Sequence, residues 1–105
     1  MPNYAKPGEV MYHTGLTLEM IQGAKYALVP GDRGRVEGLA KALDPEAVYV
    51  TSHREFTSWL ARVKGQPVLV MSTGMGGPCV TFAVEDLARL GVENFIRVGT
   101  SGSLR

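Results

Sequence analysis

The chain has 105 residues, of which 45% are apolar and 20% charged, and a net charge of +1. That is room for one domain and hardly for two, with the composition of an ordinary globular protein. So small a charge gives no overall field for DNA, RNA or an acidic membrane surface, while leaving room for a local anion site.

Residues 1–12 begin "MPNYAKPGEV", with two early prolines and no apolar core of signal-peptide length, and are expected to be a flexible lead-in to a domain over 13–105. Tyr26 to Val29 is a short apolar strand that runs into Pro30-Gly31-Asp32. From Arg35 onward, Val36, Leu39, Ala40 and Leu43 fall at i, i+3, i+4 and i+7, the spacing of one helix face, and Asp44-Pro45 stops that helix. Ala47 to Thr51 is a second strand. Phe56 to Val63 and Val68 to Ser72 flank "KGQP" and read as a hairpin.

The glycine cluster "TGMGGP" then leads into a helix from about Pro78 to Leu90. Proline suits its first turn, where the missing N–H costs nothing. Val80, Ala83, Val84, Leu87 and Leu90 form its buried face, Glu85 and Asp86 a solvated one, with Glu85 and Arg89 spaced to pair across one turn. Gly91 closes that helix and "NFIRV" is the last strand. Strands alternating with helices predict an α/β fold, and the hairpin makes its sheet mixed. The lone cysteine, Cys79, has no internal disulfide partner, as in a reducing cytoplasm, and no run approaches the ~20 apolar residues of a membrane helix. The expected location is cytoplasmic.

The turn "VPGDRGR" gathers backbone N–H groups and two arginines where a strand hands over to a helix. Such a turn attracts anions, because unpaired N–H groups and the helix dipole point to one spot, and Arg33 or Arg35 can add charge-assisted hydrogen bonds. The spacing fits neither G-x-G-x-x-G nor G-x-x-x-x-G-K-[ST], and a plain turn with solvated arginines fits it too. "FIRVGTSGS" repeats the pattern, with Arg97 inside an apolar strand where burial is costly unless an anion or carboxylate meets it. "SHREF" adds Arg54. Two strand-end turns of this kind at one sheet edge mark where open α/β sheets bind ligands, so the set favours an oxyanion site. Phe56 and Trp59 read as packing residues and His53 as structural or exposed, and two histidines and one cysteine at unrelated spacings make no metal signature.

In order along the chain, "HTGLT", "VPGDRGR", "TSHREFTSW", "MSTGMGGP" and "IRVGTSGS" resemble the uridine phosphorylases of the nucleoside phosphorylase superfamily, from about Met11 onward. The resemblance implies a nucleoside-phosphorylase-like fold, of which this chain matches the N-terminal part. It further implies phosphorolysis of uridine to uracil and ribose 1-phosphate, with inorganic phosphate as co-substrate and no organic cofactor. By resemblance, Gly31, Arg35, Arg54, Arg97 and Thr100 bind phosphate, with Arg54 completing the site of a neighbouring subunit. Arg97 and Thr100 also reach the ribose, and His13 reaches its 5′-hydroxyl across a dimer interface. Related enzymes hold a potassium ion near the positions of Glu55, Met75 and Cys79, and have serine where this chain has Cys79.

Family members are more than twice this length, and their base-recognising residues lie beyond the matched part. The expected partners are therefore phosphate, a nucleoside, a second copy in at least a dimer, and a further polypeptide supplying the rest of the site. The alternative is a truncated, non-catalytic relic or interaction subunit that oligomerises or docks onto a full-length relative. A nucleosidase, which uses water, would not need the three guanidinium groups.

Overall fold

The computed structural model describes residues 4–31, 33–53, 56–73 and 77–98, and of residues 33, 77–80 and 98 the backbone alone. Strand β1 spans Tyr26–Pro30, β2 Val48–His53, β3 Phe56–Val63, β4 Gln66–Met71 and β5 Asn94–Val98. Helix α1 spans Leu18–Ile21, α2 Val36–Leu43 and α3 Gly77–Arg89, with a 3-10 turn at Arg33–Arg35 before α2. The strands form one mixed sheet in the order β2-β3-β4-β1-β5, in which β1 runs parallel to both β4 and β5 while β2-β3-β4 is an antiparallel meander.

Alternation along each strand sorts the core into two layers. Ala27 and Val29, Leu69 and Met71, and Phe56 and Leu60 point to one face, where Ala83 and Leu87 of α3 and Leu16 and Ile21 near α1 cover them. Leu28, Val70 and Ala61 point to the other, under Val36 and Ala40 of α2. The connection from β1 to β4 therefore passes over the α2 face, and that from β4 to β5 passes over the α3 face in the opposite direction. Two crossovers so arranged share one hand, as the strong preference for right-handed connections requires.

Local chemistry sets the joints. Lys64 and Gly65 both have positive φ (54° and 82°), the signature of a two-residue type I′ hairpin, so the β3-β4 turn is shorter than "KGQP" suggested. Asp44 stops α2 and anchors it: its backbone N–H donates to Ala40 O, and its Oδ2 accepts the Arg62 N–H of β3 at 3.0 Å. Helix α1 is not visible in the apolar periodicity. It is a single turn capped by Thr17, whose hydroxyl accepts the Met20 N–H at 3.2 Å.

Residues 4–16 run as a strap packed along α3, with Ala5 and Met11 buried. Two sequence expectations about α3 need correction. The Ala5 N–H donates to Arg89 O at 2.8 Å, and Arg89 pairs with Glu9 at 3.0 Å rather than with Glu85. Asp86, expected on a solvated face, is only 6% exposed. Its carboxylate is enclosed by the strap, whose length in sequence from α3 hides this contact from any helical-wheel argument.

Among the described residues, nothing covers the second face beside α2. Tyr26, Leu28, Leu43, Val63, Val68 and Ile96, with Lys64 and Gln66, line a groove of about 340 Å³. An eight-residue helix is too short to cover both ends of the parallel strands, and Ile96 keeps 49% of its surface in water.

Candidate functional site

The parallel strands β4, β1 and β5 end at one edge of the sheet. Val98 stands beside Pro30 in the β1-β5 register, and the Thr73 N–H just past β4 donates to Pro30 O at 3.1 Å. Because β3 runs antiparallel to β4, with Ser58 opposite Met71, the close of β2 at His53 and the start of β3 at Phe56 lie at this edge as well. After β1 the chain turns toward the α2 face, and after β4 toward the α3 face. Adjacent strands whose connections part to opposite faces leave a crevice between them, the place where α/β sheets hold ligands.

Gly31 is buried at the mouth of this crevice, immediately beyond Pro30. The 3-10 turn then carries Arg35 to the N-cap position of α2, on the exposed side. Glu37, in the first turn of α2, is drawn down the helix by Lys41 at 3.1 Å, one turn on. Arg97 lies opposite Val29 in register and so shares the α3 face with Phe95 and Ala27. It is exposed rather than buried, so the cost of burying a guanidinium in a strand does not arise, and its charge is presented to solvent next to the crevice. Arg35 and Arg97 thus approach one edge from opposite faces.

His13 sits on the strap. Its ring stacks on Phe82 with centroids 4.1 Å apart and planes 7° from parallel, and Tyr12 meets it edge-on at 4.9 Å. The strap reaches the sheet edge two residues later. Gly15 has φ +73°, and a Cβ there would stand 3.2 Å from that of His53, so the close approach requires glycine. His53, expected to be structural or exposed, is the residue against which the strap turns.

Arg54, Glu55, Met75 and Thr100 lie outside the described residues, although the strand ends on either side of Arg54 and Glu55 are at the crevice edge. Cys79 falls in the first turn of α3, where the backbone alone is described. The potassium set of Glu55, Met75 and Cys79 therefore has no described side-chain geometry. Among the described residues, no group of three or more His, Cys, Asp or Glu side chains is placed to hold a metal ion, and no helix is long and apolar enough to cross a membrane.

Two buried hydroxyls at the edge, on Ser72 and Thr73, were not singled out from sequence. Ser72 Oγ accepts the Thr57 N–H at 2.9 Å while the Ser72 N–H donates to Thr57 O at 3.0 Å, which ties the end of β4 to β3. Pairing of this kind between a side chain and a distant backbone leaves no spacing signal.

Comparison with known proteins gives a consistent result. The family model described as the phosphorylase superfamily matches residues 25–105. The chain is similar to the uridine phosphorylase of Escherichia coli, at 50% identity over 95 residues, covering 90% of this chain and 37% of the relative. It is similarly related to the uridine phosphorylase of Haemophilus influenzae, at 51% over 96 residues, again 90% of this chain and 37% of the relative. A guanosine phosphorylase from Halorubrum lacusprofundi is 42% identical over 79 residues, 75% of this chain and 32% of the relative. The chain thus matches the N-terminal portion of these relatives and spans 37% of the length of the first two.

Proposed function

Because this chain belongs to the phosphorylase superfamily, with the model match extending over residues 25–105, we propose that it carries the phosphate-binding part of a nucleoside phosphorylase site, with uridine as the nucleoside. The observation that supports this most is the place of Gly31, Arg35 and Arg97 in the fold, just past β1, at the N-cap of α2 and one residue before the end of β5, in a chain half identical to uridine phosphorylases. The Gly31 N–H and the two guanidinium groups hold a phosphate dianion from both sides of the sheet. Arg54 and Thr100 complete that shell.

The bound dianion has two roles. As the glycosidic bond lengthens, the anomeric carbon becomes cationic, and a fixed dianion beside it stabilises that charge. A phosphate oxygen then forms the new bond to that carbon. The electron pair of the broken C–N bond leaves with the uracil, which takes up a proton, and the sugar departs as ribose 1-phosphate. Positioning supplies the rest of the rate, and no side-chain nucleophile enters the scheme.

His13 contacts the ribose 5′-hydroxyl across an interface with a second copy. Base recognition belongs to polypeptide equivalent to the part of the relatives that follows the matched portion. That same polypeptide packs into the open groove at Tyr26, Leu28 and Ile96, whose lining is almost wholly apolar. The guanosine phosphorylase among the relatives bears on the choice of base, which the phosphate edge does not read.

The test is phosphate binding followed by thermal unfolding. Inorganic phosphate should raise the Tm of the chain, and Arg35→Ala should reduce its affinity by about tenfold or more, since a hydrogen bond to a charged group contributes roughly 1.5–3 kcal/mol. An identical phosphate shift in Arg35→Ala would remove that residue from the site. Uracil release from uridine, followed by ultraviolet absorbance and lost in Arg97→Ala, would extend the assignment to turnover.

A further inference from the structure

One turn apart on α3, Phe82 and Asp86 both face the strap, and each holds a different part of His13. Asp86 Oδ2 accepts the backbone N–H of His13 at 3.0 Å and that of Thr14 at 2.9 Å. Phe82 meets the ring of His13 face to face. One residue thus fixes the backbone from which the imidazole springs, and the other fixes the plane in which it lies.

We propose that Asp86 and Phe82 are positioning residues for His13, setting its imidazole for the ribose. This rests on the reading of His13 as a ribose contact given above.

Three observations carry the proposal. First, a carboxylate only 6% exposed is costly to bury, and apolar packing alone would anchor a strap more cheaply; two converging N–H groups make sense of the charge as a fixed reference point. Second, the strap is registered again at both ends. Arg89 holds Glu9 at 3.0 Å and reaches Met11 Sδ at 3.8 Å, and Gly15 abuts His53. Phe82, Asp86 and Arg89 follow the i, i+4, i+7 spacing of one helix stripe, so α3 acts as a rail along which a slip of one residue would break every contact together. Third, Phe82 remains 39% exposed, so it is not one of the core residues that hold α3 to the sheet. Its ring instead occupies one face of the imidazole.

The experiment compares two probes, ribose 1-phosphate and inorganic phosphate, by the ratio of their affinities. Because both carry the phosphate, their ratio isolates the sugar. In the parent chain ribose 1-phosphate should bind more tightly and should shift the His13 ring resonances in NMR spectra. Asp86→Ala and Phe82→Ala should each lower the ratio by ~10-fold, about one charge-assisted hydrogen bond, while leaving the affinity for inorganic phosphate unchanged. Asp86→Asn and Phe82→Tyr, which keep an acceptor oxygen and a ring, should restore most of it. Hydrogen exchange at the His13 and Thr14 amides should be slow in the parent and fast in Asp86→Ala.

The proposal is overturned if His13→Ala lowers the ratio and the α3 variants do not, or if the two amides exchange equally fast in the parent and in Asp86→Ala. If His13→Ala itself leaves the ratio unchanged, the failure lies with the ribose reading of His13 on which the proposal stands.

Discussion

Glu9 has a carboxyl held below the usual carboxylate range, first by the backbone N–H of Lys6 and then by the Arg89 guanidinium. A depressed carboxyl contributes stability above its unfolded-state value and loses that contribution as pH falls through the folded value. Glu9→Gln should therefore lower the Tm at neutral pH, and the gap to the parent should close as the solution is acidified below the ordinary carboxylate range. A gap independent of pH would mean that shape, not charge, ties the strap at Glu9. At this scale the sequence was a partial guide. Gly31, Arg35 and Arg97 stood out in the sequence because a glycine turn and arginines at strand ends can gather an anion, although a plain turn with solvated arginines has the same spacing. The partners of Asp86 and Arg89 did not, because Glu85 and Arg89 make an acceptable local pair on paper. The strap that wins both residues lies more than 70 positions earlier.

Helices α2 and α3 followed from their apolar periodicity to within a residue or two, and the hairpin from its flanking runs. Where the expectation was loose, the reason is short length. One turn of helix, as in α1, has no period to detect, and β2 runs two residues past Thr51 because its end is fixed by pairing with β3. The elements also differ in what depends on them. Leu87 of α3 is fully buried between the sheet and the strap region, so Leu87→Ala should cost about 2–5 kcal/mol, the usual range for a large-to-small change in a packed core. Chemical denaturation measures this directly. The same change at Leu43, at the exposed end of α2 beside the groove, should cost well under half as much. Equal losses at the two positions would show that the groove wall is as tightly packed as the α3 core.

For the molecule as a whole, the alternation of strands and helices was enough to name an α/β fold with a mixed sheet, but not the strand order. Nothing in a strand's composition says that β1 will be enclosed between β4 and β5; that follows from crossover hand and from which helix faces are apolar. The open side of the sheet is a property of this level too. Tyr26 and Ile96 keep 44% and 49% of their surfaces exposed within an otherwise apolar wall. The folded chain alone should therefore enhance the emission of an apolar dye such as anilinonaphthalene sulfonate, and Ile96→Asp should reduce that emission without altering the far-ultraviolet circular dichroism. Undiminished emission in Ile96→Asp would locate the dye elsewhere. Adding the remaining portion of a uridine phosphorylase relative should displace the dye if that portion fills the groove.

The strap has a consequence for the order of events at the ribosome. The residue that pins His13 lies 73 positions after it, and at about 5–20 residues per second that interval lasts roughly 4–15 seconds. Throughout it, Met11 and Leu16, which end up fully buried, have no α3 to pack against. The strap is thus among the last parts of this chain to settle, and a nascent chain stalled before residue 86 would leave Met11 and Leu16 available to chaperones.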